Sequence, residues 1–275
     1  MASGAIHVND YRLDRNRCGD RLMRSFETDC GRGMRAALSH YPSGAAQPRH
    51  RHEYSQLSFL LAGSMQEMLL GDEYQLLGSE IGYKPAESWH SDIWGESGAL
   101  IFSLKLTRDR AQALGLRWSP GWSKRADLTL VPSILQSCLR GETQAIRSEA
   151  AEDLIGVTSL PAENRLRSRP PVWLEAAREQ IIDSPEFVAV DAAARSAGVH
   201  RVHLCRMFVR FYGVAPSVYR RRALAARAVA GATRTSDVLA DIAQDAGFSD
   251  QSHMNRTLRA QTGFSPSTLR AMLRG

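Results

Sequence analysis

The chain has 275 residues, 43% hydrophobic and 23% charged, with 35 basic and 29 acidic side chains and a formal net charge of +6. This is the composition of a soluble globular protein, long enough for two domains of ordinary size that each bury a core. Cys18, Cys30, Cys138 and Cys205 are scattered with no C-x-x-C pair, which excludes a disulfide framework and predicts a reduced intracellular compartment. Met1 to Asp10 has neither a basic n-region nor an apolar core, so no signal peptide is expected. The best apolar run, Leu57 to Ala62, is only a strand's length, so a cytoplasmic protein with no membrane partner is expected.

From Arg32 to Leu106 short apolar runs alternate with turn residues: Arg35–Leu38, Gln56–Leu61, Ser64–Leu70, Tyr74–Leu77, Ile81–Lys84, Ser91–Trp94 and Leu100–Leu106. Gly63, Gly71-Asp72, Gly78, Pro85 and Gly95 to Gly98 punctuate them, which predicts an all-β sandwich or barrel. Within this region lie His50-Arg51-His52, Gln56, Gly63, Pro85 and Trp89-His90. Two His at i and i+2 on a strand point to one face, so His50 and His52 can both face an interior.

The spacing of these residues is similar to the two motifs of a cupin barrel. That resemblance implies a site at the barrel mouth, with Gln56 standing where the motif has an acid and Glu87 where it has a Gly. The effector-binding candidates are His50, His52, Gln56, Trp89 and His90, with Tyr54 and Trp94 as further walls. A divalent metal would take His50, His52, Gln56 and His90, although a neutral amide holds Fe or Mn less well than a carboxylate does. A polar small-molecule pocket without metal is the expected use of the same mouth, and no cofactor is required.

Arg108 to Ala126 reads as a charged loop, with a turn at Trp118 to Trp122 that covers the barrel. Helical patterns follow at Pro132–Leu139 and Glu142–Val157. Ile146, Ala150, Leu154 and Val157 mark one face of the second, which either packs on its own barrel or meets its copy across a two-fold axis. Ser159 to Pro171 reads as an interdomain linker. Pro171 opens a helix over Val172–Asp183, with Trp173, Ala176, Ala177, Gln180 and Ile181 expected to face inward.

The remaining stretch, Val190 to Arg270, is an internal repeat. Ala194 and Gly198 recur as Ala243 and Gly247, 49 residues on; from His203 the matches recur 50 residues on, as His253, Arg256, Gly263 and Pro266. The second copy therefore has one more residue in its turn. Each copy has the grammar of a helix-turn-helix: a short helix with small residues, a Gly break, then a second helix. Leu204, Met207, Phe208 and Phe211 in one copy, and Met254, Thr257 and Leu258 in the other, give the second helix a buried side. Ser249 is read as the second copy's N-cap, with Asp250 in the first turn. Arg201, Val202, Cys205, Arg206 and Val209, then Gln251, Ser252, Asn255, Arg256 and Arg259, form the opposite sides. Arg, Asn and Gln can pair bidentately with base edges. Between the copies, Pro216 to Ala230 predicts a helix of about 15 residues, a rod of roughly 22 Å. Such a rod can set two helices about one DNA turn, ~34 Å, apart.

Leu204-Cys205-Arg206-Met207-Phe208, Gly213, Pro216 and Tyr219, then Ile242-Ala243, Gly247 to His253, Arg256, Gly263-Phe264-Ser265-Pro266 and Arg270, resemble the DNA-binding domain of the AraC/XylS family. The resemblance covers about 100 residues. It implies a cytoplasmic transcription factor, most often an activator working with RNA polymerase, whose two recognition helices enter adjacent major grooves of double-stranded DNA. By position it marks Arg201, Val202 and Arg206, and Gln251, Ser252, Asn255 and Arg256, as base readers; Arg259 lies on the same side of its helix. Charge agrees: residues 166–275 hold 16 Arg, no Lys and nine acids, a net of +7, whereas residues 1–165 sum to −1.

The expected fold is thus α+β in two domains. Residues 1–108 form a cupin-like sensor, 109–165 a helical dimerisation and linker segment, and 166–275 an all-α domain of two helix-turn-helix motifs joined by a linker helix. The expected function is that of a non-enzymatic, homodimeric regulator answering a small-molecule or metal effector. A metal-dependent cupin enzyme with an ancillary DNA-binding domain is the alternative.

Overall fold

The computed structural model describes residues 11–14, 17–18, 21–116, 118–123, 131–140, 142–158, 170–184 and 189–274. Most of the linker read at 159–171 lies outside them. The strands are β1 (Tyr11–Asp14), β2 (Arg17–Cys18), β3 (Arg21–Leu22), β4 (Arg24–Gly31), β5 (Met34–Tyr41), β6 (Ala46–His50), β7 (Ser55–Leu69), β8 (Asp72–Leu76), β9 (Glu80–Lys84), β10 (His90–Leu106) and β11 (Gly121–Ser123). The helices are α1 (Arg108–Ala113), α2 (Val131–Leu139), α3 (Gln144–Val157), α4 (Val172–Asp183), α5 (Ala189–Ser196), α6 (Arg201–Tyr212), α7 (Pro216–Arg234), α8 (Leu239–Asp245), α9 (Gln251–Thr262) and α10 (Pro266–Arg274). The architecture is α+β: an N-terminal antiparallel sheet and a C-terminal helical region.

The sheet runs β1-β4-β5-β10-β7-β9-β11, with β6 added to β10 and β8 to β7. Its frame is the pair β7 and β10, which the glycine punctuation had divided into four short strands. Gly63 and Gly95 to Gly98 do not end strands. They sit where the β7–β10 register shifts between Trp94 and Ala99. Gly63 has φ +89°, and a Cβ there would lie 2.0 Å from the Gly98 carbonyl oxygen, so the two chains can cross at this bulge only without a side chain. The bend lets β7 pair with β9 before it and β8 after it, which wraps the sheet around an inner face. The charged loop also contains structure: α1, capped by Thr107, and β11 on the edge of β9.

Away from these register shifts, side chains alternate across the sheet. Leu57, Phe59 and Leu61 on β7 and Leu100, Phe102 and Leu104 on β10 face the helices, in one apolar core with α2, α3, α7, α8, α9 and α10. Leu60, Met65, Trp94, Ile101 and Trp122 form a second cluster on the inner face. A third core, with Leu174, Ala177, Ile181, Leu204, Phe208 and Tyr219, joins α4, α5, α6 and the start of α7.

Several expectations change in detail. In α3 the buried positions are Arg147, Ser148, Ala151, Leu154 and Ile155, and this face packs on α2 and the sheet; Ile146 is exposed. On α4, Leu174 is buried with Ala177 and Ile181, whereas Ala176 is exposed and Trp173 and Gln180 are half-buried, because the inward stripe is turned by one residue. The helix between the repeats is longer than expected: 19 residues, about 28 Å at 1.5 Å each.

Candidate nucleic-acid interface and inner-face ligand site

The two repeat copies have the same local geometry. Gly198 (φ +64°) and Gly247 (φ +90°) occupy the left-handed region in the two turns. Behind them Val199 N donates to Ala194 O at 3.0 Å, and Phe248 N donates to Ala243 O at 2.9 Å. The second helix of each copy spans 12 residues. The extra residue of copy two moves its cap: Asp250, not Ser249, is the N-cap, accepting from His253 N at 2.7 Å. These hydrogen bonds hold the Asp250 carboxyl below its usual range. In copy one the cap is His200, whose Nδ1 accepts from Val202 N at 3.2 Å.

Each of these helices buries one side. Leu204 and Phe208 are buried in α6, as are Met254 and Leu258 in α9, while Met207, Phe211 and Thr257 are half-buried. Arg201, Val202, Arg206 and Val209 are exposed on α6, and Gln251, Ser252, Arg256 and Arg259 on α9. Two candidates differ from a fully presented side chain. Asn255 is half-buried, with Oδ1 closed off from solvent, and Cys205 is a half-buried free thiol. Arg201 is held by Asp191 of α5, Nη1 lying 3.1 and 3.2 Å from the two carboxylate oxygens.

On the inner face of the sheet, β6 ends at His50, and His52 follows it into the same cluster. The ring centroid of His90, at the start of β10, lies 4.1 Å from that of His50 and 5.1 Å from that of His52. Ligating atoms of the three rings all lie within 4.8 Å of one another. His50 Nδ1 contacts Pro48 O at 2.8 Å, which leaves its buried Nε2 without a partner. His90 Nδ1 contacts Ser88 O at 3.1 Å. Burial, then the neighbouring rings and Lys84, lowers His52 to about 3; burial and Lys84 lower His90 to about 4, and burial lowers His50. All three are neutral at pH 7, the form that binds metals.

The carboxylates of this site escaped the sequence reading. Glu67, His90 and Asp92 form a second, fully buried group of possible ligands. Lys84 Nζ donates to Glu67 Oε1 at 2.7 Å, and Trp122 Nε1 also donates to Glu67. Burial works to raise Glu67, but the Lys84 ion pair and the Lys84 and Trp122 hydrogen bonds together outweigh it, and the net shift is downward. Burial raises Asp92 well above the usual carboxylate range, and its Oδ1 has no hydrogen-bond partner. The one available signal was a set of charged residues, Glu67, Lys84 and Asp92, inside otherwise apolar strands.

Of the other expected residues, Tyr54 joins the cluster and the rest do not. Gln56 is bonded away, its Nε2 donating to Ser58 Oγ at 2.7 Å and Ser103 Oγ at 3.2 Å. Trp89, just before β10 begins, points outward, 42% exposed, with the Arg49 and Arg51 guanidiniums 4.9 and 5.1 Å from its ring. Trp94 stacks on Tyr41 in the inner core, whereas Tyr54 stacks on His52 at the cluster. Glu87 takes the left-handed conformation (φ +64°) at the place of the motif's Gly, held by Glu87 N donating to His52 O at 2.7 Å.

Two matched helix-turn-helix units joined by one long helix define a DNA-binding domain. Residues 174–272 match the helix-turn-helix domain family, and this part of the chain is a DNA-binding domain of the AraC type. No curated protein matches the chain. Among solved structures, ToxT from Vibrio cholerae O395 is similar at 9% identity and TM-score 0.35, over 89% of this chain and 100% of its own. KdgF from Halomonas sp. is similar at 20% identity and TM-score 0.31, over 39% and 97%. An RmlC-like cupin from Shewanella frigidimarina NCIMB 400 is similar at 16% and 0.31, over 36% and 87%. Among the described residues no helix is long and apolar enough to cross a membrane.

Proposed function

We propose that the chain is an effector-responsive activator: the inner face of the sheet binds a divalent metal, or a small molecule in the same place, and occupancy sets how well α6 and α9 read adjacent major grooves. The observation that carries the effector reading is the unpartnered, buried Nε2 of His50 beside two further neutral imidazoles. A metal there would be held by His50, His52 and His90, and beside His90 it would have to displace the proton that burial favours on Asp92 to gain the negative charge that Gln56 lacks. Its chemistry would be that of a charge clamp between β6 and β10. These side chains serve binding, and the regulator reading has them perform no turnover.

The path to DNA is short. Residues 56 to 60 of β7 present Gln56, Ser58 and Leu60 to the inner face and Leu57 and Phe59 to the helices. Gln261 Nε2, at the end of α9, donates to Leu61 O at 3.1 Å, and Arg222 of α7 donates to Leu77 O at 3.0 Å. A shift of β7 on ligand binding therefore moves groups that hold the second recognition helix. A homodimer that contacts RNA polymerase completes the reading, placing two such domains on one promoter.

Selection from a random duplex library, with and without chelator, tests this. The expected motif has two readable blocks about ten base pairs apart, and adding Zn²⁺, Mn²⁺ or Ni²⁺ changes the affinity of the wild type but not of His52→Ala. Absence of any enriched motif under every condition overturns DNA readout. An affinity that metals leave unchanged overturns the metal effector alone.

A further inference from the structure

A cavity of about 300 Å³ lies between the bend of β7 and β10 and the first helix-turn-helix, away from the histidine cluster. Trp94 and Leu76 line it from the sheet, and Phe211, Tyr212, Tyr219 and Arg178 line it from the helices. Its volume matches a small ligand rather than a few waters. Its walls are aromatic, and two donors within them are unspent. Arg178 Nε and Tyr212 Oη are both buried and neither has a hydrogen-bond partner.

Arg178 is the cation of the site. Its Nη2 lies 3.3 Å from Glu179, an exposed neighbour, and Tyr219 lies close by, but Nε is left over. Arg178 and Tyr212 are close enough to influence each other's ionisation. Buried donors normally find acceptors, and a pair of which one belongs to a guanidinium favours an acceptor that carries charge. Tyr212 stays protonated, because burial, only partly opposed by Arg178, raises it well above the usual tyrosine range. It can therefore donate but not compete as an anion.

We infer that this cavity is a second small-molecule site, for a monocarboxylate with a planar aromatic body. The carboxylate accepts from Arg178 Nε and Tyr212 Oη, and the ring lies among Trp94, Phe211 and Tyr219. Such a ligand touches the sheet and the first helix-turn-helix at once. Any effect on DNA affinity rests on the regulator reading above, whereas binding itself does not.

The test is calorimetric titration of the full chain with phenylacetate and indole-3-acetate, each against its neutral amide. At least one acid is expected to bind with Kd of about 1 mM or tighter and about tenfold more tightly than its amide. Arg178→Gln should erase that preference, Tyr212→Phe should weaken acid binding several-fold while keeping a native circular dichroism spectrum, and His52→Ala should leave binding unchanged. Equal binding of acid and amide, retention of the preference in Arg178→Gln, loss of binding in His52→Ala, or no binding by either acid overturns the site. Library selection on the same preparation reports DNA binding separately, so the two readings fail independently.

Discussion

The two helix-turn-helix copies share a turn, a helix length and a buried face, yet they are held in different ways. Copy two has no core of its own: Ile242, Phe248, Met254, Leu258 and Phe264 belong to the apolar layer that includes Phe59 and Phe102 of the sheet. Copy one closes on itself, with Leu204 and Phe208 packed against Leu174, Ile181 and Tyr219. One sequence pattern can thus serve as an integral part of the sheet's core or as a module beside it. What decides is the partner offered to the side of the unit away from DNA. The difference implies two cooperative units, in which copy two should unfold with the sheet and copy one before it.

The largest test of that division is a pair of core truncations. Leu258→Ala and Phe208→Ala each remove a fully buried side chain, at a cost of roughly 2–5 kcal/mol. Native-state hydrogen exchange should show Leu258→Ala lowering protection in both α9 and β7. In Phe208→Ala the loss should be confined to α4, α5 and α6. Equal loss throughout the chain in both variants would mean a single cooperative unit.

The repeat was legible in the sequence because it depends on short-range grammar: the Gly198 and Gly247 turns, the i, i+3, i+4 apolar stripes and the conserved spacing within the chain all lie inside windows of about 20 residues. His50, His52 and His90 were legible from their motif spacing, but not as a strand alternation: β6 ends at His50, and His52 joins the cluster from the segment that follows. Glu67, Lys84, Asp92 and Trp122 were not, because they meet only through the pairing of β7, β9, β10 and β11, after the register shift at Gly63. Glycines at 63, 95 and 98 read as turns because a turn and a bulge require the same freedom of φ. Which copy would join the sheet was equally hidden, as Leu204 and Met254 are alike in pattern and differ only in what lies opposite.

A second test concerns the seam between the helix that joins the copies and the sheet. His40 of β5 is buried against Thr233 of α7, Nδ1 3.3 Å from Oγ1. The Thr233 hydroxyl donates to Val229 O at 2.9 Å, so His40 must donate from Nδ1, which leaves Nε2 buried, unprotonated and unpartnered. Burial, helped by Arg24 and Arg234, lowers His40 from 6.5 to about 4. Between those values the unfolded chain binds the proton and the folded chain does not, so stability falls as pH drops through this window. The loss from this residue approaches about 3 kcal/mol and is complete below about pH 4. His52 and His90 act in the same direction, and His40→Gln should remove only the seam's share. Denaturant titrations at pH 7 and pH 5 would show a smaller pH difference in the variant; an unchanged difference would mean that the seam does not exclude the proton.

On DNA the copies should differ as well. Arg256→Ala in copy two should weaken specific binding by about 1–3 kcal/mol if it reads a base, with discrimination relaxed at one position. Arg201→Ala should cost less, because the free protein already commits Arg201 to Asp191. Anisotropy titrations of both variants against the selected duplex give the comparison directly, and a larger loss for Arg201→Ala would reverse it.

The smallest effect isolates that commitment. Asp191 sits 49 residues before Ala240, which occupies its place in copy two and carries no charge. Asp191→Asn therefore makes copy one resemble copy two at this point: it removes a negative charge beside the α6 face and releases Arg201 toward phosphate. An exposed pair of this kind contributes little to folding, so thermal stability should hardly change while DNA affinity rises a few-fold. Because one more cation then displaces counterions, the slope of log affinity against log salt should steepen by up to about one. Tighter binding without a change in slope would instead mean that the lost carboxylate merely repelled DNA, and unaltered binding would place Arg201 outside the interface altogether.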